Sequence, residues 1–179
     1  VDIAETPEAA FSISQDAPCV LPTTVDFANL STGASTYDWN FGNGDFSSDE
    51  NPSALYGAAG TYTVTLTVTS PLGCTDVATE IVVIDEAPVA GFTVDPFEGC
   101  EPLAVTFGNN STSGLEFIWD FGDGTISNLS NPTHVYDIPG EYEVSLIVSG
   151  AGGCLDTLTL EGAVSVYPSP IADFTANPS

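Results

Sequence analysis

Apolar residues recur at every second position in short bursts along this chain. Val25 and Phe27 are followed by Tyr37, Trp39 and Phe41, and then by Tyr62, Val64, Leu66 and Val68. Thr, Asp and Asn fill the positions between them. Such alternation buries one face of a strand and leaves the other in water, so it predicts half-buried strands and no helices beyond short turns. The series then returns as Val105 and Phe107, as Phe117, Trp119 and Phe121, and as Tyr142, Val144, Leu146 and Val148.

The two copies are 80 positions apart at Trp39 and Trp119, at Tyr62 and Tyr142, and at Cys74 and Cys154. Phe11 and Phe92, like Cys19 and Cys100, recur at 81. This spacing predicts one repeat over residues 1–86, a second over 87–168, and the start of a third over 169–179. Turn sequences punctuate the strands of each copy: "GNG" and "GDG", "ENPS" and "SNPT", "GAAG" and "DIPG". Short strands between glycine, proline and asparagine turns predict a sandwich of two antiparallel sheets. Trp39 and Trp119 are expected to fill its centre, and the glycines that follow them to permit a tight turn. Tyr62 and Tyr142 are expected in the core at a corner, each hydroxyl bonded back to the backbone.

The phrase "WDFGDG", followed by "NPTHVYDIPGEYEVSLIV", resembles the PKD domain, an immunoglobulin-like sandwich. The resemblance covers both repeats and the start of the third, and the first copy departs from it with Asn40 and Asn43 in place of Asp120 and Asp123. It implies an all-β protein of tandem immunoglobulin-like sandwiches in a head-to-tail rod. The cysteine-bearing "GCEPLAVTFGNNS" with its later "GGC" is similar to the PKD arrays of giant adhesins and filament proteins of gliding, Bacteroidota-type bacteria. The implied function is a non-enzymatic stalk or spacer in an extracellular adhesin or surface filament. A carbohydrate-binding accessory module of a secreted hydrolase is the alternative.

Composition sharpens this picture. There are 25 Asp and Glu residues and no Lys or Arg, where a typical chain of this length carries on the order of twenty basic residues. Nucleic acid and anionic membranes are excluded as partners on charge, and no apolar run is long enough to insert in a bilayer. The expected partners are neighbouring repeats of the same chain and an extracellular polysaccharide or surface ligand. No signal peptide is visible, and both ends read as cuts through a longer protein.

Candidate chemistry is sparse. His134 has Ala54 as its counterpart, and no Ser and Asp pattern assembles a triad around it. Asp120 and Asp123 sit in one tight loop rather than across a sugar-binding cleft, so their oxygens are expected to accept from turn amides. No cofactor is implied. Some PKD domains of secreted proteases bind calcium through an Asp pair just before the Trp strand, but "TGAS" and "TSGL" stand there in this chain. The remaining calcium candidate is the junction between repeats, where Asp85, Glu86 and Asp95 could supply oxygen ligands. Asp156-Thr157-Leu158 resembles the Bacteroidota O-glycosylation motif, which makes Thr157 a modification candidate.

The four cysteines argue for an oxidising exterior. Pairing within repeats would join Cys19 to Cys74 and Cys100 to Cys154. In an immunoglobulin-like sandwich these partners fall at opposite ends, which favours a staggered scheme: Cys19 with Cys154 across the junction, and Cys74 and Cys100 with neighbouring repeats. The intra-repeat scheme stays open if the loop carrying Cys19 folds back along the sandwich.

Overall fold

The computed structural model describes residues 6–14 and 19–174. The chain divides into two compact units, Val1–Ala87 and Pro88–Ser179. In the first, β1 (Phe11–Ser14), β2 (Thr23–Asn29), β3 (Thr36–Asn40), β4 (Phe46–Ser47), β5 (Ser53–Tyr56), β6 (Gly60–Thr69) and β7 (Thr75–Ile84) follow in order. They form two sheets, β1-β2-β5 and β4-β3-β6-β7. This is the strand arrangement of an immunoglobulin-like sandwich.

The second unit repeats the plan with β8 (Phe92–Asp95), β9 (Glu98–Cys100), β10 (Leu103–Asn109), β11 (Glu116–Asp120), β12 (Ile126–Ser127), β13 (Thr133–Tyr136), β14 (Gly140–Ser149) and β15 (Leu155–Tyr167). Its sheets are β13-β10-β8 and β12-β11-β14-β15-β9. The additional strand β9 runs parallel to the end of β15. A 3-10 turn at Ala151–Gly153 is the one helical segment among the described residues. Residues 168–174 form no strand, and the rest of the predicted third copy, 175–179, lies outside the described residues.

The period-two pattern translates directly into packing. Trp39 pairs with Leu66 across β3 and β6, and Trp119 with Leu146 across β11 and β14. All four side chains are buried. Phe11 meets the Trp39 ring edge-on at 5.1 Å, and Phe92 meets Trp119 at 5.2 Å. Phe27 and Phe107 complete each aromatic cluster from the facing sheet. The indole N–H of Trp39 donates to the Asp49 carbonyl and that of Trp119 to the Leu129 carbonyl, both at 2.9 Å. A ring buried between sheets therefore keeps its single polar atom satisfied.

Just beyond each Trp strand the backbone must reverse against the neighbouring strand. Gly42 and Gly122 adopt φ of +76° and +79°, in the left-handed region that side chains disfavour. A Cβ on Gly42 would lie 2.6 Å from the Thr63 carbonyl oxygen, and one on Gly122 would fall on the Glu143 carbonyl. The copies diverge later, on β15. There Tyr142 pairs with Val164 but Val144 with Leu160, so three residues, Glu161 to Ala163, bulge opposite one. Gly162 sits in that bulge at φ +61°.

Replacing Trp119 by Ala is expected to cost about 3–5 kcal/mol, much of the stability of so small a domain. Urea unfolding followed by circular dichroism should show the second domain melting at clearly lower urea. An unchanged profile would contradict the packing role.

Candidate functional site

The polar residues that looked most like chemistry converge on the loop between β11 and β12. Asp120 Oδ1 accepts from the Gly122 N–H at 2.9 Å. Asp123 Oδ1 accepts from the Thr125 N–H at 3.0 Å and from its hydroxyl at 2.6 Å. The other oxygen, Asp123 Oδ2, lies 2.7 Å from His134 Nε2 on β13. His134 stacks on the buried Phe121, ring centroids 4.4 Å apart and 2° from parallel, and meets Tyr136 edge-on.

This geometry holds a loop and does not assemble a catalytic relay. A nucleophilic triad needs the hydroxyl to hand its proton to the imidazole, with the carboxylate on the far side. Here Thr125 and His134 both engage the same carboxylate, and the Thr125 hydroxyl stands 3.5 Å from the ring nitrogen. The two aspartates share one short loop and are each occupied by turn amides, so they do not flank a cleft as glycosidase carboxylates do. The first domain makes the same turn with amides. Asn40 accepts from Gly42, Asn43 accepts from the Asp45 N–H, and the Asn43 side chain donates to the Leu55 carbonyl.

Other sequence-predicted residues fall in separate places. Asp85 and Glu86 follow β7 in the first unit, whereas Asp95 ends β8 in the second. Among the described residues no three His, Cys, Asp or Glu groups are gathered closely enough to hold a metal ion. Thr157 is exposed on β15. Its neighbour Asp156 accepts from the Ala90 N–H at 2.7 Å, as Asp76 accepts from Ala9 at 2.8 Å. The acidic residue of the motif thus has a fold role that its counterpart performs without a Thr behind it. Cys74 and Cys100 carry free thiols, whereas Cys19 and Cys154 are disulfide-bonded. The intra-repeat pairs, each of which needs Cys74 or Cys100, are therefore not formed.

Tyr62 and Tyr142 pack against the edge of each core, and their hydroxyls bond back to the backbone. Tyr62 and Tyr142 are only half-buried; their hydroxyls donate to the carbonyls of Ala58 and Ile138, four residues back. The fully buried pair is Tyr56 and Tyr136. Each donates at 3.0 Å to the carbonyl of Phe41 or Phe121, at the start of the glycine turn. Burial, with Tyr62 and Asp45 nearby, pushes the Tyr56 hydroxyl up to about 12. Burial raises Tyr136 as well, reinforced by Asp123, Tyr142 and Asp120. The signal available in sequence was their place at the end of an alternating strand, "SALY" and "THVY".

Two measurements check these assignments. Tyr136→Phe leaves a buried carbonyl without its donor and is expected to cost about 1–3 kcal/mol, whereas Tyr142→Phe exchanges its bond for water and should cost less than about 1 kcal/mol. Equal losses in urea unfolding would contradict the difference in burial. For Asp123, burial acts upward, but the hydrogen bonds from Thr125 and His134 prevail and hold its carboxyl below the ordinary value. A depressed carboxyl contributes stability above its unfolded-chain value near ~4 and loses it as pH falls through the lower folded value. Stability measured from pH 5 to pH 2 should therefore fall less steeply in Asp123→Asn than in the parent. Coincident acid profiles would remove the assignment.

The sequence pattern of the PKD domain matches residues 4–84 and again 85–166. A microbial collagenase of Vibrio alginolyticus is 38% identical over 85 residues, covering 45% of this chain and 10% of its own length. The pre-pro-metalloprotease PrtV of Vibrio cholerae is 27% identical over 129 residues, covering 70% of this chain and 14% of its own. The chain thus spans a small fraction of the length of these curated relatives. Among solved structures, the PKD1 domain of Vibrio anguillarum Epp is 35% identical with a TM-score of 0.42, over 47% of this chain and 99% of that one. With nearly its whole length matched in two successive copies, the chain belongs to the PKD domain family.

Proposed function

We propose that this chain is a non-catalytic accessory segment of a larger extracellular protein, one that holds a macromolecular substrate for an attached hydrolase. The observation that carries this reading is the 38% identity, over 85 residues, to part of a microbial collagenase. The geometry is consistent with a supporting role. The polar groups that resemble catalytic ones are engaged in turns, and three hollows of the surface, one of them lined by Asp38, Trp39, Asn40, Phe46, Thr65 and Thr67, are built without Asp123 or His134.

The chemistry of the surface favours a fibrous protein over a sugar. Carbohydrate platforms present flat aromatic rings on one face. In this chain Phe46 stands on β4, whereas Phe97 and Tyr167 flank and end the β9–β15 pair of the other domain. Collagen-like protein is the substrate class we assign. A second reading, the stalk of a surface adhesin or filament, draws on the tandem repetition itself, since stacked repeats set length and carry binding elsewhere.

Sedimentation of the purified chain with insoluble collagen fibres, cellulose and chitin separates these readings. Retention on collagen alone is the expected result. Retention on neither protein nor sugar would overturn the accessory reading in favour of the stalk, and binding to cellulose or chitin would overturn the assignment of a protein substrate.

A further inference from the structure

The turn after the first Trp strand gathers an asparagine, a glycine and an aspartate in an arrangement that the second domain does not repeat. Asn43 is the one asparagine of the chain that is followed by glycine. Gly44 adopts φ +100°, and no packed atom lies within 4 Å of the place a Cβ would take. Neither a side chain of its own nor a neighbour crowds that side of Gly44.

The Asn43 amide is held by three hydrogen bonds. Its Oδ1 accepts from the Asp45 N–H at 2.9 Å, and its Nδ2 donates to Asp45 Oδ2 at 3.1 Å and to the Leu55 carbonyl at 3.0 Å. Two of these partners are the ones that an attack on the amide carbon requires. A tetrahedral intermediate would carry its negative charge on Oδ1, where a backbone N–H already points. Nδ2 must gain a proton in order to leave, and a carboxylate that can deliver one is already in contact with it.

We propose that Asn43 is a self-modification site, at which the backbone nitrogen of Gly44 displaces the Asn43 side-chain nitrogen. The Gly44 nitrogen bonds to Asn43 Cγ, and the bond from Cγ to Nδ2 breaks. The proton of the Gly44 N–H passes through water to Asp45 Oδ2 and on to Nδ2, which departs as ammonia. A water molecule then opens the cyclic imide that remains. Addition at the side-chain carbonyl yields aspartate, and addition at the main-chain carbonyl yields isoaspartate. The balance is amide and water to acid and ammonia, with no oxidation or reduction.

The second domain shows what a carboxylate needs at this place. Its counterpart, Asp123, is met by the Thr125 N–H and hydroxyl and by His134. In the first domain Asp45 stands in place of Thr125, and Ala54 in place of His134. A carboxylate at position 43 would keep the bond from the Asp45 N–H, but it would face the Asp45 carboxylate and the Leu55 carbonyl without a donor, and like charges in contact repel. Modification therefore loosens the β3–β4 turn of the first domain and leaves the second domain unchanged.

Incubation of the folded chain at mildly alkaline pH, followed by cleavage at glutamates and mass spectrometry, tests the site. The peptide that ends at Glu50 should gain the mass of an amide-to-acid exchange before any other, with fragmentation placing the change at Asn43 and chromatography separating aspartate from isoaspartate forms. A parallel incubation in urea gives the rate of the unfolded chain, which the folded chain should exceed. Asp45→Ala, which keeps the backbone N–H and removes the carboxylate, should slow conversion of the folded chain by on the order of 100-fold, the low end of what a positioned proton-transfer group contributes. Earlier change at another asparagine, faster conversion in urea than in the folded chain, or an Asp45→Ala rate equal to that of the parent would each overturn the proposal.

Discussion

Each domain is organised around one buried indole whose N–H must find an acceptor inside the fold. Trp39 and Trp119 lie between the two sheets, and the acceptors are the carbonyls of Asp49 and Leu129 in the chain that follows β4 and β12. That bond draws the short edge strand and its loop over the core. The ring itself sets the sheet spacing through Phe11 and Phe27 in one domain and Phe92 and Phe107 in the other. The turn after the Trp strand is fixed in the same way. A glycine with positive φ brings the backbone against the neighbouring strand, and the carbonyl that precedes it is capped by Tyr56 or Tyr136. An unmade bond at any of these buried groups would cost more than its formation contributes.

The strands and the Trp cores were legible because a period of two reports which face of a strand is buried. It does not report depth, and that is why Tyr62 and Tyr142 looked like core when Tyr56 and Tyr136 are deeper. Both pairs stand at alternating apolar positions, but the outer two lie at the margin, within reach of a turn carbonyl. The His134–Asp123 contact was hidden for a different reason. It joins a loop to a strand of the facing sheet across 11 residues, and its first-domain counterpart uses Asn43 and a backbone carbonyl instead. The bulge at Glu161 to Ala163 appears in sequence only as a repeat spacing that grows from 80 at the tryptophans to 82 at Val82 and Val164.

The absence of Lys and Arg explains how the polar groups are used. With no basic side chain for a partner, carboxylates turn to backbone N–H groups: Asp76 to Ala9, Asp156 to Ala90, Asp120 to Gly122 and Asp123 to Thr125. These bonds pin the entry of each domain to its β6–β7 or β14–β15 hairpin and shape the turn that follows Trp119. A repeat built in this way uses local polar chemistry for its own fold.

The most direct test of the indole-centred account is hydrogen exchange of the Trp39 and Trp119 indole N–H groups, followed by NMR across a series of low urea concentrations. If these bonds close the core, exchange requires unfolding of the whole domain, and its free energy should fall with urea at the slope of global unfolding. Exchange that is insensitive to urea and much faster than global unfolding would show that the indoles open locally, and would contradict the account.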